Sequence, residues 1–151
     1  MSTYMYSVLQ RRDENGDWDK VYVDHLGSIN RPFGQNYRVF TFLGCKGREC
    51  GSEAPVLPSA HRGLPIDFDP DDWNWADYVA SPYWCNLSDL LEFDYSIEVI
   101  NRQPMVLQGW FEFDAVVGRK ETLRQYLDER YFERLEALKA LSVERIIYGF
   151  D

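Results

Sequence analysis

Residues 119–151, RKETLRQYLDERYFERLEALKALSVERIIYGFD, decide the fold of this chain. Leu123, Leu127, Tyr131, Leu135, Leu138 and Leu141 recur three or four positions apart, which places them on one face of a helix predicted over Arg119–Leu141. On its wet side, Arg124 with Asp128 and Arg130 with Glu133 are spaced to pair. Val143–Phe150 then switches to β-branched and aromatic residues and reads as a closing strand. A helix with one apolar face beside a strand needs a sheet on which both can pack, so the segment predicts an α+β fold.

The flanking sequence supplies the rest of that sheet. Tyr4–Gln10 and Trp18–Val23 are strand-like and enclose Asn15-Gly16, the strongest short-range hairpin signal. Ser96–Ile100 and Met105–Phe113 read as two more strands joined by a turn at Asn101–Pro104. Three short helical segments complete the pattern. Asn36 caps Tyr37–Leu43 and Gly44 closes it, although the same residues would also suit a strand. Asp69-Pro70-Asp71-Asp72 combines an N-cap, a proline at the first helical position and dipole-facing acids, and predicts a helix to about Ala80. Asn86 or Ser88 caps another through Phe93. Gly27–Gln35 and Cys45–Pro65 are loops, the second long enough to suggest a functional role. The expectation is a single α+β domain over residues 1–151. It has about five mostly antiparallel strands, one long C-terminal helix and two or three short helices.

With 45% hydrophobic and 16% aromatic residues, the chain is rich enough in apolar side chains for a packed core. Three cysteines, an odd number, argue against a disulfide framework and for a reducing compartment. No segment approaches the roughly 20 apolar residues of a membrane span, and no secretory leader is visible. A net charge of -9 disfavours direct contact with a nucleic-acid backbone.

That charge is concentrated. The 35 residues Asp67–Asn101 hold nine acids and no Lys, Arg or His, while the rest of the chain is neutral. Phe68, Trp73, Trp75, Tyr78, Tyr83, Trp84, Phe93 and Tyr95 are interleaved with the acids. Helix-dipole complementarity and a solvated face explain part of this pattern. The sharper reading is a docking surface for a basic protein, with Asp71, Asp72, Trp73, Trp75 and Asp77 as its contact residues. A stronger form would let carboxylates imitate nucleic-acid phosphates.

Other chemistry is thinly represented. Cys45, Cys50, His61 and Cys85 are the residue types of a structural zinc site, but their spacing is irregular, so no metal or other cofactor is assigned. His61 near Asp67 has the minimum for general-base work without a motif around it, and no cysteine has an identified base. The glycines of Gly44–Gly51 lack phosphate-loop spacing. No catalytic motif stands out, and the chain reads foremost as a binding protein. A pocket for an anionic nucleotide-like molecule, sequestered or hydrolysed, is the alternative, lined by Arg38, Arg48, His61 and Arg62.

The order Asn36-Tyr37-Arg38-Val39-Phe40, Arg62-Gly63-Leu64-Pro65 and Trp84-Cys85-Asn86-Leu87-Ser88-Asp89-Leu90-Leu91-Glu92-Phe93-Asp94 resembles a group of small bacteriophage and prophage accessory proteins. Their pattern is similar to N-Y-x-L-F, R-G-L-P and W-L-T-L-x-E-L-L-x-[FY]-D. Where members carry His-Ser before the Trp, this chain has Ala80-Ser81-Pro82-Tyr83, which removes the histidine that an activity there would use. The resemblance implies a protein of the bacterial host's cytoplasm that acts on host machinery, defence systems included, by binding it or by sequestering its signals. Assembly into a virion is the plainer role for such a chain.

Overall fold

In the computed structural model the described residues are 3–22, 31–45, 56–74, 77, 79, 81–101 and 118–151. The expected strand Met105–Phe113 lies outside them, as do Arg48, Cys50, Trp75 and much of the two long loops.

Five antiparallel strands form the main sheet: β1 (Met5–Arg12), β2 (Trp18–Val21), β3 (His61–Arg62), β4 (Tyr83–Asn86) and β7 (Arg145–Phe150). Their order across the sheet is β2-β1-β7-β4-β3, so the last strand in the chain is central. Two further strands, β5 (Glu98–Asn101) and β6 (Arg119–Thr122), form a separate antiparallel pair. Among the described residues three helices accompany them: α1 (Tyr37–Phe42), α2 (Leu87–Glu92) and α3 (Leu123–Ala140). The α+β expectation and the long C-terminal helix both hold.

Local chemistry accounts for several boundaries. Asn36 Oδ1 accepts the Val39 N–H at 3.2 Å, and Gly44 adopts φ 112 just beyond the end of α1, as expected. Thr122 and Gln125 form a reciprocal capping box at the start of α3. That cap corrects the predicted helix start, because Arg119–Thr122 is strand β6. The β1–β2 connection is also different from a two-residue Asn-Gly turn. Arg12 faces Trp18, and the Asp13 carboxylate accepts the N–H groups of Asn15 and Asp17, with only Gly16 at positive φ.

Residues alternate across a strand, so the sheet has two distinct faces. Met5, Leu9, Cys85, Ile146 and Tyr148 point toward the helices and join the larger core with Phe40, Phe42, Leu123, Tyr131 and Leu138. Val8 and Ile147 point the other way and pack under Phe68, Trp73 and Val79. In place of the start of the helix predicted from Asp69 to about Ala80, the described residues of this segment form a strap lying across the sheet. Asp69 still caps, accepting the Asp71 N–H at 3.0 Å, but Pro70–Asp72 makes a single 3-10 turn and Trp73 is already extended. Burying Phe68, Trp73 and Val79 against the sheet outweighs the few tenths of a kcal/mol per residue that helical propensity offers. Gly149 permits the close approach: a Cβ there would overlap Val79 Cγ1 and come within 3.5 Å of Trp73 Cζ2.

Candidate functional site

The strap explains much of the acidic stretch. Asp67 Oδ1 accepts from Arg145 Nη1 at 2.7 Å, and its Oδ2 accepts from Trp18 Nε1 at 2.8 Å. Asp72 pairs with Lys20 at 3.1 Å. Arg145 is only 4% exposed, with its Nε donating to Gln10 Oε1 at 2.8 Å. Its guanidinium lies 4.0 Å from the Trp18 ring centroid and 5.8 Å from that of Trp84. His61 stacks on Trp84 at 4.2 Å, and Arg12 approaches Trp18 at 4.7 Å. A row of cations and aromatic rings thus runs across the strap-side face of the sheet. Arg145, followed by Trp18, holds the Asp67 carboxyl below the usual carboxylate range.

The expected contact residues divide accordingly. Trp73 is buried under the strap, which corrects its role as an exposed anchor: it is needed to hold the strap down. Asp72 is half-buried in its ion pair, whereas Asp71 and Asp77 are exposed. Ile66, fully exposed, is an apolar side chain at the strap's start that composition had not singled out.

Of the four residues of the alternative pocket, Arg48 lies outside the described residues, and Arg38, His61 and Arg62 do not converge. Arg38 donates to the Tyr126 carbonyl at 3.3 Å and lies over the Tyr126 ring, tying α1 to α3. His61 and Arg62 are both exposed on edge strand β3, where alternation directs them to opposite faces. The same alternation separates His61, on the strap side with Trp84, from Cys85 in the helix-side core. Among the described residues no three metal-ligating side chains converge. Burial, followed by the charge of Asp89, pushes the Cys85 thiol up to about 12, far from a reactive thiolate.

The second half of the acidic stretch builds a different feature. Leu90 and Leu91 of α2, with Tyr95 beyond it, face Phe132 and Leu135 of α3 across a groove of about 540 Å3. Glu129, Glu133 and Glu136 rim it. Tyr95 and Phe132 meet edge to face at 4.9 Å. The Tyr95 hydroxyl is tied to the Leu90 carbonyl at 2.5 Å and to the Tyr131 hydroxyl at 2.7 Å, which fixes the groove floor. Arg124 lies 4.1 Å over the Phe132 ring and reaches Glu129 at 3.3 Å, covering part of the apolar surface. These two side chains are 54% and 75% exposed, so their attraction is weak and easily exchanged.

The groove wall depends on a break in α3. Asp128 adopts φ 63 and ψ 172, a conformation that glycine alone takes readily, and its carboxylate accepts the Arg130 N–H at 2.9 Å. The helix restarts there, so Glu129, Phe132, Glu133 and Glu136 belong to its second segment. Glu129, Glu133 and Glu136 beside Phe132 was the sequence signal for this surface, and it lay in the helix, outside the base-free stretch.

No helix of the described residues is long and apolar enough to cross a membrane. No family of known proteins, no curated protein and no solved structure matches the chain.

Proposed function

We propose that the protein acts by binding, as a phage-type accessory protein that docks a basic segment of a bacterial host protein and inhibits it. The observation that carries this reading is the α2–α3 groove. It has an apolar floor of Leu90, Leu91, Phe132 and Leu135 and an acidic rim of Glu129, Glu133 and Glu136. That combination suits an amphipathic helix whose apolar face enters the groove while its Lys and Arg meet the rim. The exposed Asp71 and Asp77 of the strap extend the negative field and would speed encounter with such a partner more than they would hold it. The docking surface thus keeps the acidic and aromatic character expected from the sequence, with its centre moved from Trp73 to Phe132.

The test is capture from a bacterial lysate by the wild-type protein, by Glu133→Arg/Glu136→Arg and by Asp71→Arg/Asp77→Arg, with the retained proteins identified by mass spectrometry. A specific basic partner lost with the first pair and kept, at a slower association rate, with the second supports the reading. A partner lost only with the strap pair would move the site to the strap. Retention of the same partner by both variants would sink the electrostatic model.

A further inference from the structure

A second concavity sits at the other end of α2, with Leu91 bordering both. It has a volume of about 550 Å3, within the range of sites for small molecules. Arg12 and Trp18 of the hairpin form one wall, Ser88 of α2 another, and Lys139, Ser142 and Glu144 at the end of α3 a third.

Its electrostatics are opposite to those of the chain as a whole. The ion pairs among the described residues are Lys20–Asp72, Arg124–Glu129 and Arg145–Asp67, so neither Arg12 nor Lys139 is neutralised by one. Glu144 is the single acid of the lining, and its carboxylate accepts the Arg12 backbone N–H at 2.5 Å. The Arg12 guanidinium is held 4.7 Å from the Trp18 ring centroid, which limits its freedom before any ligand arrives.

Ser142 adds an independent observation. It follows the end of α3 at φ 60, where glycine is the favoured residue, and its N–H donates to the Lys139 carbonyl at 2.9 Å. A serine at this position accepts a backbone cost and places a hydroxyl-bearing residue in the cleft lining. Ser88 supplies a second hydroxyl.

We infer that this cleft binds a small phosphorylated molecule, with its phosphate between Arg12 and Lys139 and with Ser88 and Ser142 donating hydrogen bonds to it. A phosphate offers several acceptor oxygens, and the combination of a guanidinium fork, an ammonium and two hydroxyls matches them. This inference is independent of the groove between α2 and α3.

The test is thermal shift and calorimetry at low ionic strength with two probes, inorganic phosphate and adenosine monophosphate. Wild type should be stabilised by a ligand in excess over its dissociation constant. Lys139→Gln, at an exposed position that the fold tolerates, should weaken binding about tenfold, the effect of one charge-assisted contact. Glu144→Gln should tighten it by removing the only carboxylate. Ser142→Gly should raise the melting temperature of the free protein while weakening the ligand, opposite movements that a purely structural serine would not produce. A larger shift with the nucleotide assigns the cleft to a phosphorylated organic molecule, and equal shifts assign it to free phosphate. Absence of a shift with either probe at millimolar concentration, or a shift that Lys139→Gln leaves intact, overturns the inference.

Discussion

Asp67 and Arg145 are joined at 2.7 Å across the strap-side face of the sheet, with Asp67 half-exposed and Arg145 almost wholly enclosed. The acid that opens the base-free stretch therefore compensates a buried cation contributed by the central strand. Removing it leaves that guanidinium with less compensation than its burial requires. Asp67→Ala is expected to cost about 2 kcal/mol at neutral pH, discounted for the carboxylate's exposure.

The same pair sets a pH dependence. The folded-state value of Asp67 lies below its ordinary 3.8, so its contribution is complete above that value and is lost as pH falls through the folded one. Urea midpoints for wild type and Asp67→Ala should therefore differ at neutral pH and converge in strong acid. A constant difference down to about pH 2 would mean that the side chain acts by packing and not by charge.

Gly149→Ala tests the strap itself. The new methyl would overlap Val79 Cγ1, so either β7 or the strap must shift. A loss of about 1–3 kcal/mol is expected from this overpacking. Hydrogen exchange should accelerate in residues 64–74 and remain slow in α3, because only the strap-side core is disturbed.

Asp128 allows strain and capping to be separated. Asp128→Ala keeps a Cβ in the φ 63, ψ 172 conformation and removes the bond to the Arg130 N–H, so it should cost about 1 kcal/mol. Asp128→Gly also loses the bond but relieves about 1–3 kcal/mol of backbone strain. Glycine should therefore be the more stable of the two variants. The reverse order in chemical denaturation would show that the helix straightens when the aspartate is absent.

Arg124→Ala is expected to strengthen binding of a basic amphipathic peptide. Arg124 covers the Phe132 ring at 4.1 Å and neutralises Glu129, so its removal bares apolar surface and adds negative charge to the rim. Fluorescence anisotropy with a labelled Lys/Leu helical peptide should show a several-fold lower Kd, corresponding to about 1 kcal/mol. Weaker binding would mean that Arg124 contacts the peptide directly.

The elements legible in the sequence were those whose signal is local and repeated. The spacing of Leu123 through Leu138 gave α3 because that face is buried throughout. Asn36 and Gly44 bracketed α1 because a cap and a positive φ act within a few residues. Strands β3 and β4 were missed: two and four residues are too few for a periodicity. β4 pairs with β7, far later in the chain, and β3 pairs in turn with β4. The strap shows the same limit from another side. An Asp-Pro start suits one 3-10 turn as well as a helix, and the choice belongs to a sheet face that receives Trp73 and Val79.

Candidate site residues failed for a related reason. Tryptophan is favoured both at interfaces and in cores, so Trp73 could not be assigned without knowing what lay beneath it. Arg145 and Gln10 were visible as polar residues in apolar strands, yet Asp67, their link to the strap, is remote from both in sequence. The groove was better advertised by three glutamates at helical spacing around Phe132 than by the longer acidic run.

The central position of β7 has a consequence for how the chain acquires its structure. Among the described residues, the β1–β2 hairpin and the β3–β4 pair are joined within the sheet only through residues 145–150. During translation both halves must wait, with β1 and β4 each presenting an unpaired edge, until residues 145–150 have been synthesised and have left the ribosome. Contacts that span so much of the chain carry a high closure entropy and slow the final step. Completion of the sheet should accordingly wait for β7, and a nascent chain halted before Arg145 should be unusually sensitive to proteolysis.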